Sequence, residues 1–172
     1  MINKKGDKFN IIYDQSFKPT KNDTTTKGIP HARYYVPSEN DYIKVFKIYP
    51  NGKIPEYIEK NKIIITFKAG KQKAHLYPKY YSSPIGTTNN TMYQTMTKND
   101  NKENLISFFN SKLIHFVLLI TQYSESPNHI NEFKILNMFS KPNTGNLRND
   151  NDIYRYYGIT EEERVIIEKF NN

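Results

Sequence analysis

The densest set of side chains able to do chemistry lies between residues 68 and 79, where Lys68, Lys71, Lys73 and Lys79 accompany Gly70 and His75. On a hairpin with glycine at its tip, ammonium groups and backbone N–H groups can approach phosphate oxygens together. Four such lysines, each neutralising one phosphate, would make log affinity fall with log salt at a slope of about −3.6. The competing reading is a solvated sheet edge, on which lysine discourages strand-to-strand aggregation. Tyr77, Tyr80 and Tyr81 interleave with Lys79 and His75. Tyrosine in such company hydrogen-bonds phosphate or stacks on an exposed base, or else packs at a sheet rim. Ser82-Ser83 and Gly86-Thr87-Thr88-Asn89-Asn90-Thr91 follow. Short hydroxyl and amide side chains suit base-edge readout, asparagine to adenine above all. They equally suit loops, where they bond their own backbone. In His31-Ala32-Arg33-Tyr34-Tyr35, Arg33 has the fork for a bidentate guanine or phosphate contact, with a structural ion pair as the alternative.

Other chemistries find less support. Without cysteine there is neither a disulfide framework nor a thiolate zinc site. His31, His75, His115 and His129 are scattered with no metal-ligand spacing, and His115 reads as a core-edge histidine. Asp41, Glu56 and Glu59 could supply carboxylates to a metal in a nuclease, but their spacing matches no known scheme. The net charge of +8 and a pI near 9.4 favour a polyanionic partner. A lysine- and asparagine-rich coding bias would give the same charge with no function attached. Residues 1–7 lead into no apolar signal core, and the longest apolar run, Phe116 to Ile120, is too short to cross a bilayer. The expectation is a cytoplasmic protein with no membrane partner.

The elements that would position these residues form an α+β domain, strands first and helices after. Mean hydropathy is −0.77, yet 14% aromatic residues are too many for a disordered chain. Residues 1–30 read as a polar arm or edge segment, and residues 31–172 as a single domain. The N-terminal half is β-rich, with a mixed or antiparallel sheet: candidate strands are Tyr42–Tyr49, Lys62–Phe67, Gln72–Tyr77 and Thr91–Met96. Lys62–Phe67 has the continuous apolar character of a buried central strand. Gln72–Tyr77 would return beside it as a hairpin that Pro78 ends. One long amphipathic helix over 102–122 carries Leu105, Phe109, Leu113, Phe116 and Ile120 at helical spacing, opened by an Asp100–Glu103 capping box. Residues 133–139 form a short helix or strand, and 143–152 a Gly- and Asn-rich loop. Thr160 with Glu163 opens a short C-terminal helix.

Two segments carry a family likeness. Asn104-Leu105-Ile106-Ser107-Phe108-Phe109-Asn110-Ser111-Lys112-Leu113-Ile114 resembles the helix that type I specificity subunits and TaqI-like specificity domains carry. Asp152-Ile153-Tyr154-Arg155-Tyr156-Tyr157-Gly158-Ile159-Thr160-Glu161-Glu162-Glu163 is similar to the C-terminal ending of many adenine-N6 DNA methyltransferases and fused restriction–methylation enzymes. The resemblance covers roughly residues 30–170 and implies a target-recognition domain for double-stranded DNA. Such methyltransferases also carry an Asn/Asp-Pro-Pro-Tyr/Phe loop and a glycine-rich turn for S-adenosylmethionine; every proline here is isolated, and no such turn is present. What it implies is therefore the reading head without catalysis: no cofactor on this chain, and a methyltransferase or endonuclease domain or subunit as partner. The DNA-contacting set is then Arg33, Lys68, Gly70, Lys71, Lys73, His75, Tyr77, Lys79, Tyr80, Thr87, Thr88 and Asn89. Two rival readings stand beside it: a divergent nuclease or methyltransferase, and a protein-interaction module using the apolar face of the 102–122 helix.

Overall fold

The computed structural model describes residues 6–66, 68–69, 75–121, 129–130 and 133–171. Ile29–Val36 (β1) and Asp41–Lys47 (β2) form an antiparallel hairpin whose turn is closed by Asn40 at φ 50, a left-handed conformation that asparagine tolerates. Pairing runs from Ile29↔Lys47 to Ala32↔Lys44 and resumes at Tyr35↔Tyr42. Arg33 and Tyr34 therefore stand opposite Ile43 alone. This is a β-bulge.

Lys62–Thr66 (β3) is the central strand its composition predicts. Lys68–Ala69 (β4) follows it, and then come Lys79–Tyr81 (β5), Gly86–Thr87 (β6) and Thr91–Thr95 (β7). Strand β3 lies between β5 and β7, antiparallel to both, while β6 runs parallel to β1 at the edge of the hairpin. One sheet is thus mixed (β2-β1-β6) and one antiparallel (β5-β3-β7); β4 pairs with His129–Ile130 (β8). The alternation of a strand explains the unbroken apolar run of β3. Ile63 and Ile65 join the main core with the helices, and Ile64 joins a smaller cluster with Ala32, Tyr42, Ile85 and Tyr93 between the two sheets. Both faces are buried.

The return strand lies later than expected. Leu76 accepts one bond from the Thr66 amide at 2.7 Å, but Tyr77 then turns left-handed at φ 46. Pairing resumes only beyond Pro78, where the missing N–H no longer interrupts a ladder. Residues 70–74, the rest of the expected strand and its turn, lie outside the described residues.

The expected single long helix is two: Lys102–Asn110 (α1) and Lys112–Thr121 (α2), bent by 50°. Ser111 breaks it, extended at ψ 151, donating its hydroxyl to the Phe108 carbonyl at 2.7 Å and accepting the Ile114 amide at 3.4 Å. A serine hydroxyl competes with the helical ladder in this way. The cap is also displaced by one residue. Asn101 accepts the Asn104 amide at 3.0 Å, whereas Asp100 turns inward to Lys141. Phe133–Leu136 (α3) follows, and the loop over 143–152 ends sooner than expected, where Asn149 caps Asp150–Tyr157 (α4). Gly158, at φ 68, closes α4, and Thr160 opens Glu161–Phe170 (α5) with both halves of a capping box formed. No single helix among the described residues is long and apolar enough to cross a membrane.

The N-terminal segment meets the free edge of β7. Ile12 exchanges backbone hydrogen bonds with Tyr93 at 2.9 and 3.0 Å. Phe9 and Ile11 are buried in the main core, Phe9 stacking on Phe108 with centroids 4.8 Å apart.

Candidate nucleic-acid interface

The bulge in β1 is the local feature from which the site is built. Two residues facing one cannot both keep the ladder, and the Ala32 carbonyl instead accepts two hydroxyls, from Thr88 at 3.0 Å and Thr91 at 2.9 Å. Both threonines are fully buried. The kink they hold presents Arg33 and Tyr34 together. Tyr34 is 51% exposed, and the Arg33 guanidinium carbon lies 5.9 Å from its ring centroid, within cation–π range. Among the described residues no carboxylate forms a salt bridge with Arg33.

A tyrosine-lined seam fixes this hairpin to the antiparallel sheet. Tyr35 stacks on Tyr77 at 4.5 Å, and the buried Tyr42 hydroxyl donates to the Tyr77 carbonyl at 2.8 Å. Tyr81 donates to Asp41 at 2.5 Å, and the Lys79 ammonium reaches the Asn40 carbonyl at 2.7 Å. Burial opposes ionisation of Asp41, but hydrogen bonds from Lys44, Tyr81 and the Tyr42 amide outweigh it and hold the carboxyl down at about 2. Burial raises Tyr42 and Tyr81 well above the usual phenol range, in Tyr81 with help from Asp41. Asp41 is thus occupied. Glu56 pairs with Lys60 at 2.7 Å, and the described residues contain no group of three or more His, Asp or Glu that could hold a metal ion.

Of the residues expected to touch DNA, Arg33, Tyr77 and Lys79 lie on or against this hairpin. His75 is exposed beside it, stacked on His115 of α2 at 5.0 Å and tilted onto Tyr77. Tyr80 points the other way, as alternation along β5 requires. It packs on the main core and opens on a groove of about 540 Å³ at the start of α1, with the Lys102 ammonium 5.0 Å above its ring. Thr87 and Thr88 correct the expectation of base readout. They are 1% and 0% exposed, and the Thr88 hydroxyl is spent on Ala32. Thr88 is a positioning residue for the bulge, while Thr87 lies in β6 opposite Ala32 with its amide donating to the Tyr57 hydroxyl at 3.3 Å. Asn89 is half-buried, its amide donating to the Phe17 carbonyl at 3.0 Å and its carbonyl accepting from Tyr13 at 2.9 Å. Lys68 belongs to β4, while Gly70, Lys71 and Lys73 lie outside the described residues.

A second polar cluster, behind the hairpin, escaped the sequence. His31 is 1% exposed; its Nδ1 lies 3.0 Å from the Ile29 carbonyl and its Nε2 2.9 Å from the Tyr49 hydroxyl. A carbonyl can only accept, so Nδ1 carries the proton and Nε2 accepts from Tyr49. Burial, aided by the nearby Lys47 ammonium, keeps this histidine below its usual pKa and neutral. Tyr57 stacks on Tyr93 at 4.2 Å and donates to Asp14 at 3.1 Å. The Lys47 ammonium lies 5.2 Å from the ring centroid of Phe17 and 4.8 Å from that of Tyr49. These partners come from segments far apart in the chain, so no spacing announces them. Gly86 is the one local sign, because a Cβ there would stand 2.2 Å from the His31 ring.

In comparisons with known proteins, no family model matches the chain and no curated protein matches it significantly.

Proposed function

We propose that the chain binds double-stranded DNA sequence-selectively through the β1–β2 hairpin, as the target-recognition domain of a restriction–modification or adenine-N6 methyltransferase system. The observation that carries the binding is the bulge-presented pair Arg33–Tyr34, held from behind by Thr88 and Thr91. A two-stranded ribbon fits the major groove, where an arginine fork reads the O6 and N7 of guanine. Tyr34 supports the fork from one face and can reach phosphate with its hydroxyl. Lys44 is neutralised by Asp41 at 2.6 Å, so the positive charge at this hairpin that steers a polyanion is that of Arg33 itself and of Lys79, whose ammonium sits at the Asn40 carbonyl of the turn. The family-like motifs occupy scaffold rather than contact surface. The Asn110-Ser111-Lys112 step is the break between α1 and α2, and Tyr154 and Tyr157 belong to the buried face of α4. They support the family assignment only by resemblance. In this reading methyl transfer or cleavage, with any S-adenosylmethionine, belongs to a separate domain or subunit.

The test is fluorescence anisotropy with a pool of short duplexes at several salt concentrations, with an RNA duplex as competitor. Arg33→Ala should weaken the preferred sequence by about 1–3 kcal/mol and flatten preference at one base pair. Lys79→Gln, which removes a charge bonded only to a backbone carbonyl, should weaken all sequences alike and reduce the salt slope by about 1. Absence of binding at low salt, or affinity indifferent to salt, refutes the proposal.

A further inference from the structure

We infer that α5 is a self-association surface, pairing antiparallel with α5 of a second copy of this chain. Helix α5 buries only Ile167 among its residues and directs Glu162, Val165, Ile166 and Lys169 outward. With 3.6 residues per turn these four share one face. Val165 is 47% exposed and Ile166 50%; beside them Phe170 is 56% exposed, its ring edge-on to Phe116 at 5.2 Å. Ile120 of α2, at 56%, is a further exposed apolar side chain of the helical half. Two adjacent β-branched residues at the centre of a helix face would normally be polar if water were their permanent neighbour.

The charges select the occupant. One turn before the apolar pair stands Glu162, and one turn after it stands Lys169. A two-fold axis between Val165 and Ile166 brings Val165 onto Ile166 of the second copy and, in the same movement, Glu162 onto Lys169 at both ends. That is the self-complementarity an isologous contact requires. A parallel arrangement would instead set the Glu161-Glu162-Glu163 turns of the two copies against each other. The antiparallel one also opposes the two helix dipoles. The face thus fits itself without any other protein being invoked.

Sedimentation velocity on the full chain from about 1 to about 100 μM tests this directly. Wild type should show a reversible monomer–dimer equilibrium. Glu162→Lys, or separately Lys169→Glu, places like charges at both ends and should weaken the dimer about tenfold or more. Combining the two exchanges the charges and should restore wild-type association, an effect that nonspecific stickiness would not give. Ile166→Ser should leave a monomer, with circular dichroism confirming that each variant is folded. A wild type that stays monomeric across the range overturns the inference, even if another protein later proves to bind α5. So does a dimer indifferent to the single charge reversals, or one that the double exchange fails to restore.

Discussion

Lys62 opens the central strand with its side chain fully buried, its ammonium donating to the Ile58 carbonyl at 2.9 Å. Burial is the main cause that brings its pKa from 10.5 down to about 8, with Glu59 pulling weakly the other way. At about 1.4 kcal/mol per pKa unit, keeping the charged form inside costs about 3 kcal/mol. Below about pH 8 the folded and unfolded chains both hold the proton, so the whole cost is present. Between about 8 and 10.5 the unfolded chain binds a proton that the folded chain has released, so stability rises with pH. Lys62→Met keeps most of the aliphatic volume, and the Ile58 carbonyl retains the Ile85 amide at 3.3 Å. The variant should therefore be about 2–3 kcal/mol more stable than wild type at pH 7, an advantage that shrinks towards zero by pH 10.5. Tyr49 and Tyr93, pushed up to about 12 by burial, act in the opposite sense above pH 10, but both proteins share them and the difference cancels. Urea denaturation of the two proteins at pH 7, 9 and 10.5 measures it. An advantage of equal size at all three pH values, or a variant less stable at pH 7, would refute the reasoning.

Gly86→Ala should destabilise by at least about 2 kcal/mol in the same assay, because the new methyl would overlap a buried His31 ring fixed at both nitrogens. Asp100→Ala should cost about 3–5 kcal/mol, since it leaves the Lys141 ammonium, 6% exposed and 3.0 Å from the carboxylate, without its counter-charge; a loss under about 1 kcal/mol would contradict the burial. Thr88→Val should cost about 1–2 kcal/mol by removing one donor from the Ala32 carbonyl, and should loosen the bulge. DNA affinity should fall with it although Thr88 itself touches nothing outside, and unchanged anisotropy titrations would disconnect the bulge from binding.

What could be read from the chain was whatever depends on near neighbours. The isoleucine run of β3 and the Thr160–Glu163 box of α5 carry their structure in a few adjacent residues, and both form where expected. The order of strands before helices follows from the same local patterns. The break at Ser111 did not show, because the apolar stripe from Leu105 to Ile120 runs through it and the competing hydroxyl bond depends on backbone already folded. Thr87 and Thr88 look like loop residues by type. Their burial depends on parallel pairing with β1, more than fifty residues earlier in the chain. The approach of Asp14, His31, Tyr49 and Tyr57, and the entry of Phe9 into the core, are likewise products of topology. Arg33 was legible by its chemistry, but the bulge that presents it is a matter of register.

The seam of Tyr35, Tyr42, Tyr81 and Lys79 has a mechanical consequence for the hairpin. Contacts to β5, to Tyr77 and to the turn at Asn40 clamp it at several points along its length. It behaves as a cantilever welded to its support and not as a hinged flap. On the proposed reading, the backbone that carries Arg33 and Tyr34 is held before any encounter with DNA, so little backbone entropy remains to be lost on contact. A partner seated there has to accommodate its own shape to the hairpin.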